Sequence, residues 1–261
     1  MKSLLRNIIN KAGFDIHRLR PSEKIVSSQI IKNITIELIG PSGIGKSTIL
    51  SDVSKHLQYP WNRKYPRRVH STLIENHEID KFYRLCLHFK ALAVFEHSLN
   101  FQHYAQLLSF FSYRAIGDRN LSISGLLEKG GWLLDESFCH NFTSEINKII
   151  EDDLIDSDTL NNFFKGRNFI VVTASTDWIL RNLRDRQKKK PEALNNWLGV
   201  YDESYLIEQI QKSFEKKRKL AEYGLSYGSR SYQINLSNDK TKALDSFLEI
   251  EHKIVVDNRS G

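Results

Sequence analysis

The sequence predicts an α/β fold in three layers, in which helices cover both faces of a five-stranded, mainly parallel sheet. Short apolar segments rich in β-branched residues alternate along the chain with longer segments of helical character. Strands that alternate with helices in this way are typical of a parallel sheet. A second observation is a glycine-rich segment at residues 40–48, which directly follows the first strand and precedes an apolar helix.

The individual elements follow from local patterns. The strand at 168–173 is a continuous apolar run, so it is expected to be fully buried. Residues 78–115 are rich in Leu, Phe, Tyr and Ala and contain neither Gly nor Pro, which favours a helix. The predicted strands are 34–39, 69–74, 132–134, 168–173 and 231–236. The predicted helices are one beginning at 49 and those at 78–115, 142–164, 176–186, 203–222 and 240–253.

The composition is that of an ordinary soluble globular protein, because 40% of the 261 residues are hydrophobic and 26% are charged. These values exclude a mostly disordered chain, a collagen-like repeat and a polytopic membrane protein. The opening residues lack the continuous apolar stretch of a signal peptide, and Cys86 and Cys139 match no metal or redox spacing. We therefore expect a cytoplasmic protein.

The positive charge is concentrated at the start of the chain. Residues 1–33 hold seven basic and two acidic residues and so contribute +5 of the formal net charge of +7. Residues 2–12 predict an amphipathic helix that either lies in a membrane interface or docks on its own domain. We expect a basic amphipathic leader and linker over 1–32 and one domain over 33–261. Peripheral membrane contact through residues 1–20 and a merely solvated basic terminus are alternative roles of the leader.

Residues 40–47 match the complete phosphate-loop pattern, Gly-x-x-x-x-Gly-Lys-Ser. Its glycines let backbone N–H groups curl around an anion, and the N-terminus of the following helix adds its dipole. Lys46 can reach the β- and γ-phosphates of a nucleotide, and the Ser47 hydroxyl can hold Mg²⁺. ATP and Mg²⁺ are therefore the predicted cofactors. The predicted nucleotide contacts in this segment are Gly40, Pro41, Ser42, Gly43, Ile44, Gly45, Lys46, Ser47 and Thr48.

An acidic pair, Asp135 and Glu136, directly follows the short apolar strand 132–134. In phosphate-loop proteins an acidic side chain at such a position faces the metal ion. One of the two carboxylates is therefore predicted to lie at the phosphates, with Asp135 as a metal ligand beside Ser47. The alternative is a pair of strand-end residues that face solvent.

Three arginines, Arg181, Arg184 and Arg186, lie on the helix after strand 168–173, and basic residues continue to Lys190. Phosphoryl transfer needs cations near the equatorial oxygens, and the bidentate guanidinium suits this role. We expect the arginines to stabilise charge on the transferring group, on a mobile basic segment that closes over the nucleotide. The alternative is a solvated basic face of the helix.

In the order of these parts the chain resembles the thymidylate kinase and deoxynucleoside kinase group of phosphate-loop enzymes, over about residues 34–253. Residues 112–135 are similar to that group's substrate-arginine helix and acidic strand end, and residues 169–186 to its fourth strand and lid helix. The resemblance implies a nucleoside- and nucleotide-kinase-like phosphate-loop fold. It also implies a substrate contact at Arg114, lid arginines at Arg184 and Arg186, and an adenine-side loop that includes Asn235, Ser237 and Asp239.

One departure from that group is informative, since Glu136 stands where the family places an arginine after the strand-end acid. The change removes a cation expected to bind an acceptor phosphate. We therefore expect the acceptor to be a hydroxyl on an uncharged or differently charged molecule, with Asp135 or Glu136 as general base. Residues 78–115 are expected to wall the acceptor cavity.

These observations predict an ATP-dependent phosphotransferase that moves the γ-phosphoryl group to a hydroxyl of a small molecule or glycan. The alternatives are an ATP-binding-cassette-like ATPase and a nucleotide-binding module without phosphotransfer. Against the first, residues 121–125 are a poor signature motif and Thr173-Ala-Ser lacks the switch histidine. Residues 4–21 resemble the openings of some bacterial surface-polysaccharide enzymes, which implies a sugar acceptor. No nucleic-acid partner is expected, and the oligomeric state stays open, with a dimer as one option.

Overall fold

The computed structural model describes residues 34–63, 77–98, 100–124, 131–189, 202–236 and 240–258. The predicted leader 1–32, the predicted strand 69–74 and the predicted nucleotide contacts Ser237 and Asp239 lie outside these residues. None of the helices within the described ranges combines the length and the apolar character that a membrane span needs.

Five parallel strands form one sheet: β1 (Thr35–Ile39), β2 (Trp61–Asn62), β3 (Gly131–Leu134), β4 (Arg167–Thr173) and β5 (Arg230–Asn235). Their order is β2-β3-β1-β4-β5, so the fully buried β1 lies at the centre between β3 and β4. Four strands agree with the predicted ones to within one residue, whereas the two-residue edge strand β2 was not predicted from the sequence. The predicted fold class is confirmed, and the sheet is parallel throughout.

Within the described residues, the two longest predicted helices are each divided into shorter ones. The predicted helix 78–115 is two helices, because the Asn100 side chain caps the second by accepting a hydrogen bond from the His103 backbone N–H at 2.9 Å. The predicted helix 142–164 is also divided, since Asp156 caps a new helix by accepting from the Thr159 N–H at 2.7 Å. The helices are α1 (Lys46–Val53), α2 (His77–His97), α3 (Phe101–Ser124), α4 (Phe138–Asn141), α5 (Thr143–Glu151), α6 (Ser157–Phe164), α7 (Thr176–Lys189), α8 (Glu203–Ser226) and α9 (Lys240–Asp257).

Two apolar clusters pack on the sheet and create the three layers. The first joins β1, β4 and β5 to the apolar residues of α1, α7 and α9. The second is aromatic and joins α2 to α4, α5 and α6, with Phe138 and Phe142 stacked at 4.4 Å between ring centroids. Burial of these side chains supplies the main driving force for folding, at about 25 cal/mol per Å² of apolar surface. Together the clusters hold the carboxyl end of β1 between helices on both sides.

A buried ionic network ties β1, α3 and β4 together. Arg167, the first residue of β4, donates to Asp118 of α3 through Nη2 at 2.6 Å and through Nη1 at 3.2 Å. The same guanidinium pairs with Glu37 of β1, and its Nε donates to the Phe163 carbonyl at 2.8 Å. Tyr83 of α2 donates its hydroxyl to Asp118 at 2.6 Å. All three charged side chains are at most 4% exposed, so the network is sealed from water.

Candidate active site

The phosphate loop, residues 40–47, connects β1 to α1 in a conformation that needs its glycines. Gly43 and Gly45 have φ values of +81° and +107°, a region that other residues rarely adopt. Gly40 is required for space instead, because a Cβ there would lie 2.7 Å from the Val172 carbonyl oxygen of β4. The loop is thus folded in the way that exposes backbone N–H groups to an anion.

Lys46 is the buried cation of this loop. Its Nζ donates hydrogen bonds to the Gly40 carbonyl at 2.9 Å and to the Pro41 carbonyl at 3.0 Å, so the side chain lies along the loop. Burial lowers the pKa of Lys46 to about 8, while the carboxylates of Glu136 and Asp135 act in the opposite direction. The two carboxylates are thus within electrostatic range of Lys46, and the predicted position of one of them at the phosphates stays a prediction.

The two members of the acidic pair have different surroundings. β3 pairs with β1, with Leu134 opposite Glu37, so Asp135 and Glu136 leave the sheet at the same edge as the phosphate loop. Asp135 is half-buried, whereas Glu136 is 54% exposed and forms an ion pair with Arg114 at 2.9 Å. Glu136 therefore holds a cation of α3 at this edge of the sheet, whereas Asp135 has no ion pair among those found for the described residues.

The oxygen donors predicted for Mg²⁺ lie at this edge as well. Ser47 is exposed at the start of α1, and Asp135 follows the strand next to β1. A hydroxyl and a carboxylate are donors that suit Mg²⁺, which is commonly held by one or two protein oxygens together with substrate phosphates. The residues present therefore fit the ion, and Ser47 and Asp135 remain its predicted ligands.

Helix α7 is anchored directly on the phosphate loop. Trp178 donates its Nε1–H to the Ile44 carbonyl at 3.3 Å, and Asn182 donates its side-chain amide to the Gly43 carbonyl at 3.0 Å. Leu183 packs against the Gly43 backbone so closely that a Cβ on the glycine would lie 2.7 Å from its Cδ2 atom. These contacts hold about the first two turns of α7 against the phosphate loop, so the helix forms one wall of the loop.

The predicted lid arginines are exposed on α7. Arg184 pairs with Glu203 of α8, and both side chains are about half exposed. Arg186 is close enough to Lys46 to contribute to lowering its pKa, which places one guanidinium within electrostatic range of the loop. Arg181 is exposed on the same helix. Their proposed role in stabilising the transferring group stays a prediction.

The end of β5 lies beside the loop. The Leu236 N–H donates to the Thr173 carbonyl at 2.9 Å, and its Cδ1 atom is 3.4 Å from the position of a Cβ on Gly45. The exposed Asn235 therefore leaves the sheet near the second glycine of the phosphate loop. Its predicted contact with the base side of a nucleotide remains a prediction.

A cavity of about 250 Å³ adjoins the phosphate loop at Pro41 and Ser42. Its other walls come from α4, the start of α5, Leu183 of α7 and one face of α8. No residue of 78–115 is among those that line this cavity, and the expectation that they wall the acceptor cavity stays a prediction. The lining side chains that bear on chemistry are His140, Asn141, Thr143, Ser144, Ser213, Lys216 and Lys217.

Sequence reasoning missed His140 and Lys217, although a signal for the lysine was present. The buried face of α8 includes Leu206, Ile210, Leu220 and Gly224, and Lys217 falls in the same stripe at helical spacing. A charged residue in an apolar stripe is unusual, since lysine is almost never fully buried unless it has a partner. His140 had no comparable signal, because a four-residue helix shows no periodicity.

No protein-family model matches the chain, and no curated protein matches it. Solved structures similar to it include a deoxyadenosine kinase from M. mycoides with bound dCTP, at 13% identity and a TM-score of 0.44, over 84% of this chain and 100% of that one. Another is an EHV4 thymidine kinase complexed with Thy and ADP, at 13% identity and a TM-score of 0.40, over 84% of this chain and 89% of that one. The strand order, the parallel pairing and the loop after β1 make this chain a phosphate-loop α/β protein, the fold class that its sequence predicts.

Proposed function

We propose that the protein is an ATP-dependent phosphotransferase that moves the γ-phosphoryl group to a hydroxyl of a small molecule or glycan. One observation carries the proposal. The cavity beside the phosphate loop begins at Pro41 and Ser42, so an acceptor bound in it would lie next to phosphates held by the loop. Placing donor and acceptor side by side in this way is the main contribution an enzyme makes to phosphoryl transfer.

Different residues around the loop would bind the nucleotide phosphates, hold the metal ion and accept the proton of the acceptor. The loop amides and Lys46 bind the β- and γ-phosphates. Ser47 and Asp135 would hold Mg²⁺, which when bound would supply positive charge to the phosphates. The carboxylate that is not needed by the metal accepts the hydroxyl proton of the acceptor, and the ion pair with Arg114 holds Glu136 in place for this role. Arg186 adds positive charge on the α7 side.

The cavity also favours transfer over the hydrolytic alternative. Hydrolysis needs room for one water molecule, whose share of liquid volume is about 30 Å³. A cavity of about 250 Å³ with hydroxyl, amide and amine side chains in its walls is large enough for a small organic acceptor. The resemblance of residues 4–21 to surface-polysaccharide enzymes supports a sugar hydroxyl as the acceptor, at the inner face of a membrane.

Acceptor-dependent ADP formation tests the proposal. Full-length protein is mixed with Mg²⁺ and ATP, and ADP release is measured with panels of nucleosides, neutral sugars, sugar phosphates and sugar acids. We expect one panel to raise ADP release well above the rate in water alone, with the product phosphorylated on a hydroxyl. An ADP rate that no acceptor changes would support the ATPase alternative, and an absence of turnover with tight ATP binding would support the nucleotide-binding module.

Matched variants test the assigned residues. Lys46→Ala is expected to lower turnover by about 100-fold or more, because it removes the cation on the transferring phosphates. Lys55→Ala, an exposed lysine just beyond α1, is the control and should leave turnover unchanged. Asp135→Asn and Glu136→Gln are expected to lower turnover by about 10²–10⁴-fold where the residue acts as base. Wild-type turnover in both acidic variants would show that neither carboxylate is the base.

A further inference from the structure

The cavity next to the phosphate loop has positive charge in its walls without matching negative charge. Three lysines of α8 line it, Lys212, Lys216 and Lys217, and no aspartate or glutamate is among the lining residues that the structure describes. Lys212 is partly neutralised on the exposed side of the helix by Glu208, at 2.6 Å. The remaining two lysines leave this wall of the cavity electropositive.

Lys217 is the unusual member of this set. It is 7% exposed, and among the described residues it forms neither a hydrogen bond nor an ion pair. Burial and the cations Lys46, Lys90 and Lys216 lower the pKa of Lys217 to about 7, while Glu145 acts in the opposite direction. Glu145 is already paired with Lys90 at 2.9 Å. An ammonium group in such surroundings is costly for the free protein, because the side chain is largely buried and no described residue pairs with it.

His140 faces the same cavity from α4. Its Nδ1 atom is buried and has no hydrogen-bond partner in the described part of the chain. Burial and the cations Lys46, Lys217 and Arg114 hold its pKa well below the ordinary histidine range. The imidazole is therefore neutral at pH 7, and it offers a hydrogen-bonding group to a ligand without adding to the positive charge.

We infer that the acceptor bound in this cavity carries an anionic group, a phosphate or a carboxylate, and that Lys217 binds this group with Lys216 and His140 beside it. The inference rests on the proposed function, since it names the class of acceptor that the cavity takes. An anion completes the hydrogen bonds and the charge balance that the protein alone leaves open.

Calorimetric titration of simple anions tests the inference. The full-length protein is first saturated with Mg²⁺ and a non-hydrolysable ATP analogue, so that the loop itself is filled. Inorganic phosphate, glucuronate and glucose are then titrated separately. We expect at least one of the two anions to bind and the neutral sugar not to bind at the same concentrations; the stronger anion indicates whether the acceptor's group is a phosphate or a carboxylate.

Variants of two lysines on the same helix provide the comparison. Lys217→Met is expected to lower the affinity for the anion by about 10-fold or more, which is the usual effect of losing a hydrogen bond from a charged group. Lys219→Met is the control, because Lys219 is exposed and pairs with Glu151 at 2.9 Å away from the cavity lining. The inference is overturned if neither anion binds the wild type, or if Lys217→Met binds it as tightly as Lys219→Met does.

Thermal unfolding of the unliganded variants separates ligand binding from a structural role. Removing a buried charge without a partner should leave the midpoint of Lys217→Met equal to or above that of the wild type. A midpoint clearly below that of Lys219→Met would show that Lys217 stabilises the fold, which would overturn the inference. If the anion binds through Lys217 but no nucleotide binds, the proposed function is wrong, whereas the anion site on Lys217 stands. If phosphoryl transfer to a neutral acceptor is unaffected by Lys217→Met, only the inference fails.

Discussion

The buried network around Arg167 leads us to expect a large loss in the free energy of unfolding when this arginine is replaced. In Arg167→Met the apolar stem is kept, but Glu37 and Asp118 lose their shared cation at positions that are 0% exposed. Removing one partner of a buried ion pair typically destabilises a protein by about 3–5 kcal/mol, because an uncompensated charge is left in the interior. Here one guanidinium serves two carboxylates and the Phe163 carbonyl, so we expect a loss at the upper end of that range.

The loss should be visible in urea unfolding followed by tryptophan fluorescence at pH 7.5, with the free energy of unfolding extrapolated to water. Arg230→Met is the matched control. Arg230 is the first residue of the neighbouring strand β5, but its ion pair with Asp257 is about 40% exposed on both sides. Exposed pairs contribute about 0–1 kcal/mol. A deficit for Arg167→Met no larger than that of Arg230→Met would refute the reasoning.

The pH dependence of the same variant gives a second check. Burial raises the pKa of Glu37, and Arg167 opposes this rise. Loss of Arg167 should therefore raise the pKa of Glu37 further, so the folded variant binds a proton that the unfolded chain releases at neutral pH. Stability then falls as pH rises from the unfolded pKa towards the raised folded pKa. We expect a smaller deficit at pH 5.5 than at pH 8, and a partial recovery in Arg167→Met with Glu37→Gln.

Two further predictions concern the loop and the sheet edge. Gly43→Ala should weaken binding of the ATP analogue and destabilise the protein by about 1–3 kcal/mol more than Gly228→Ala; both glycines have positive φ, but only at Gly43 would the new Cβ overlap Leu183. Equal effects in both binding and unfolding assays would contradict this. Trp61→Phe removes the donor that contacts Glu251 at 2.6 Å and should cost about 1–3 kcal/mol in urea unfolding at pH 8. Burial raises the pKa of Glu251, and the hydrogen bond from Trp61 opposes this rise. The loss of stability in Trp61→Phe should therefore be smaller at pH 5. A loss that does not depend on pH would contradict the view that Trp61 stabilises the charged carboxylate.

The strands of the sheet were largely predictable, because buried parallel strands are short continuous apolar runs between turn signals. Strand β4 was predicted to within one residue for that reason, and the central strand β1 was predicted equally closely from its alternating, β-branched residues. The edge strand β2 could not be predicted, since two residues carry no periodicity and its position depends on the contact of Trp61 with α9. The breaks in the predicted helices depend on single capping side chains, Asn100 and Asp156, inside otherwise helical sequence.

The phosphate loop is the part of the site that the sequence determined by itself. Its glycines, its lysine and its hydroxyl come from eight consecutive residues, so their spacing alone specifies an anion-binding turn. The different surroundings of Asp135 and Glu136 were decided by the tertiary structure, because only there does Arg114 of α3 meet Glu136. The cavity belongs to the tertiary structure as well. It exists where Pro41, His140 and Lys217 converge from three distant segments. The spacing of α8 places Lys217 in its apolar stripe, but only the packing of the helix on its neighbours decides which cavity this lysine lines.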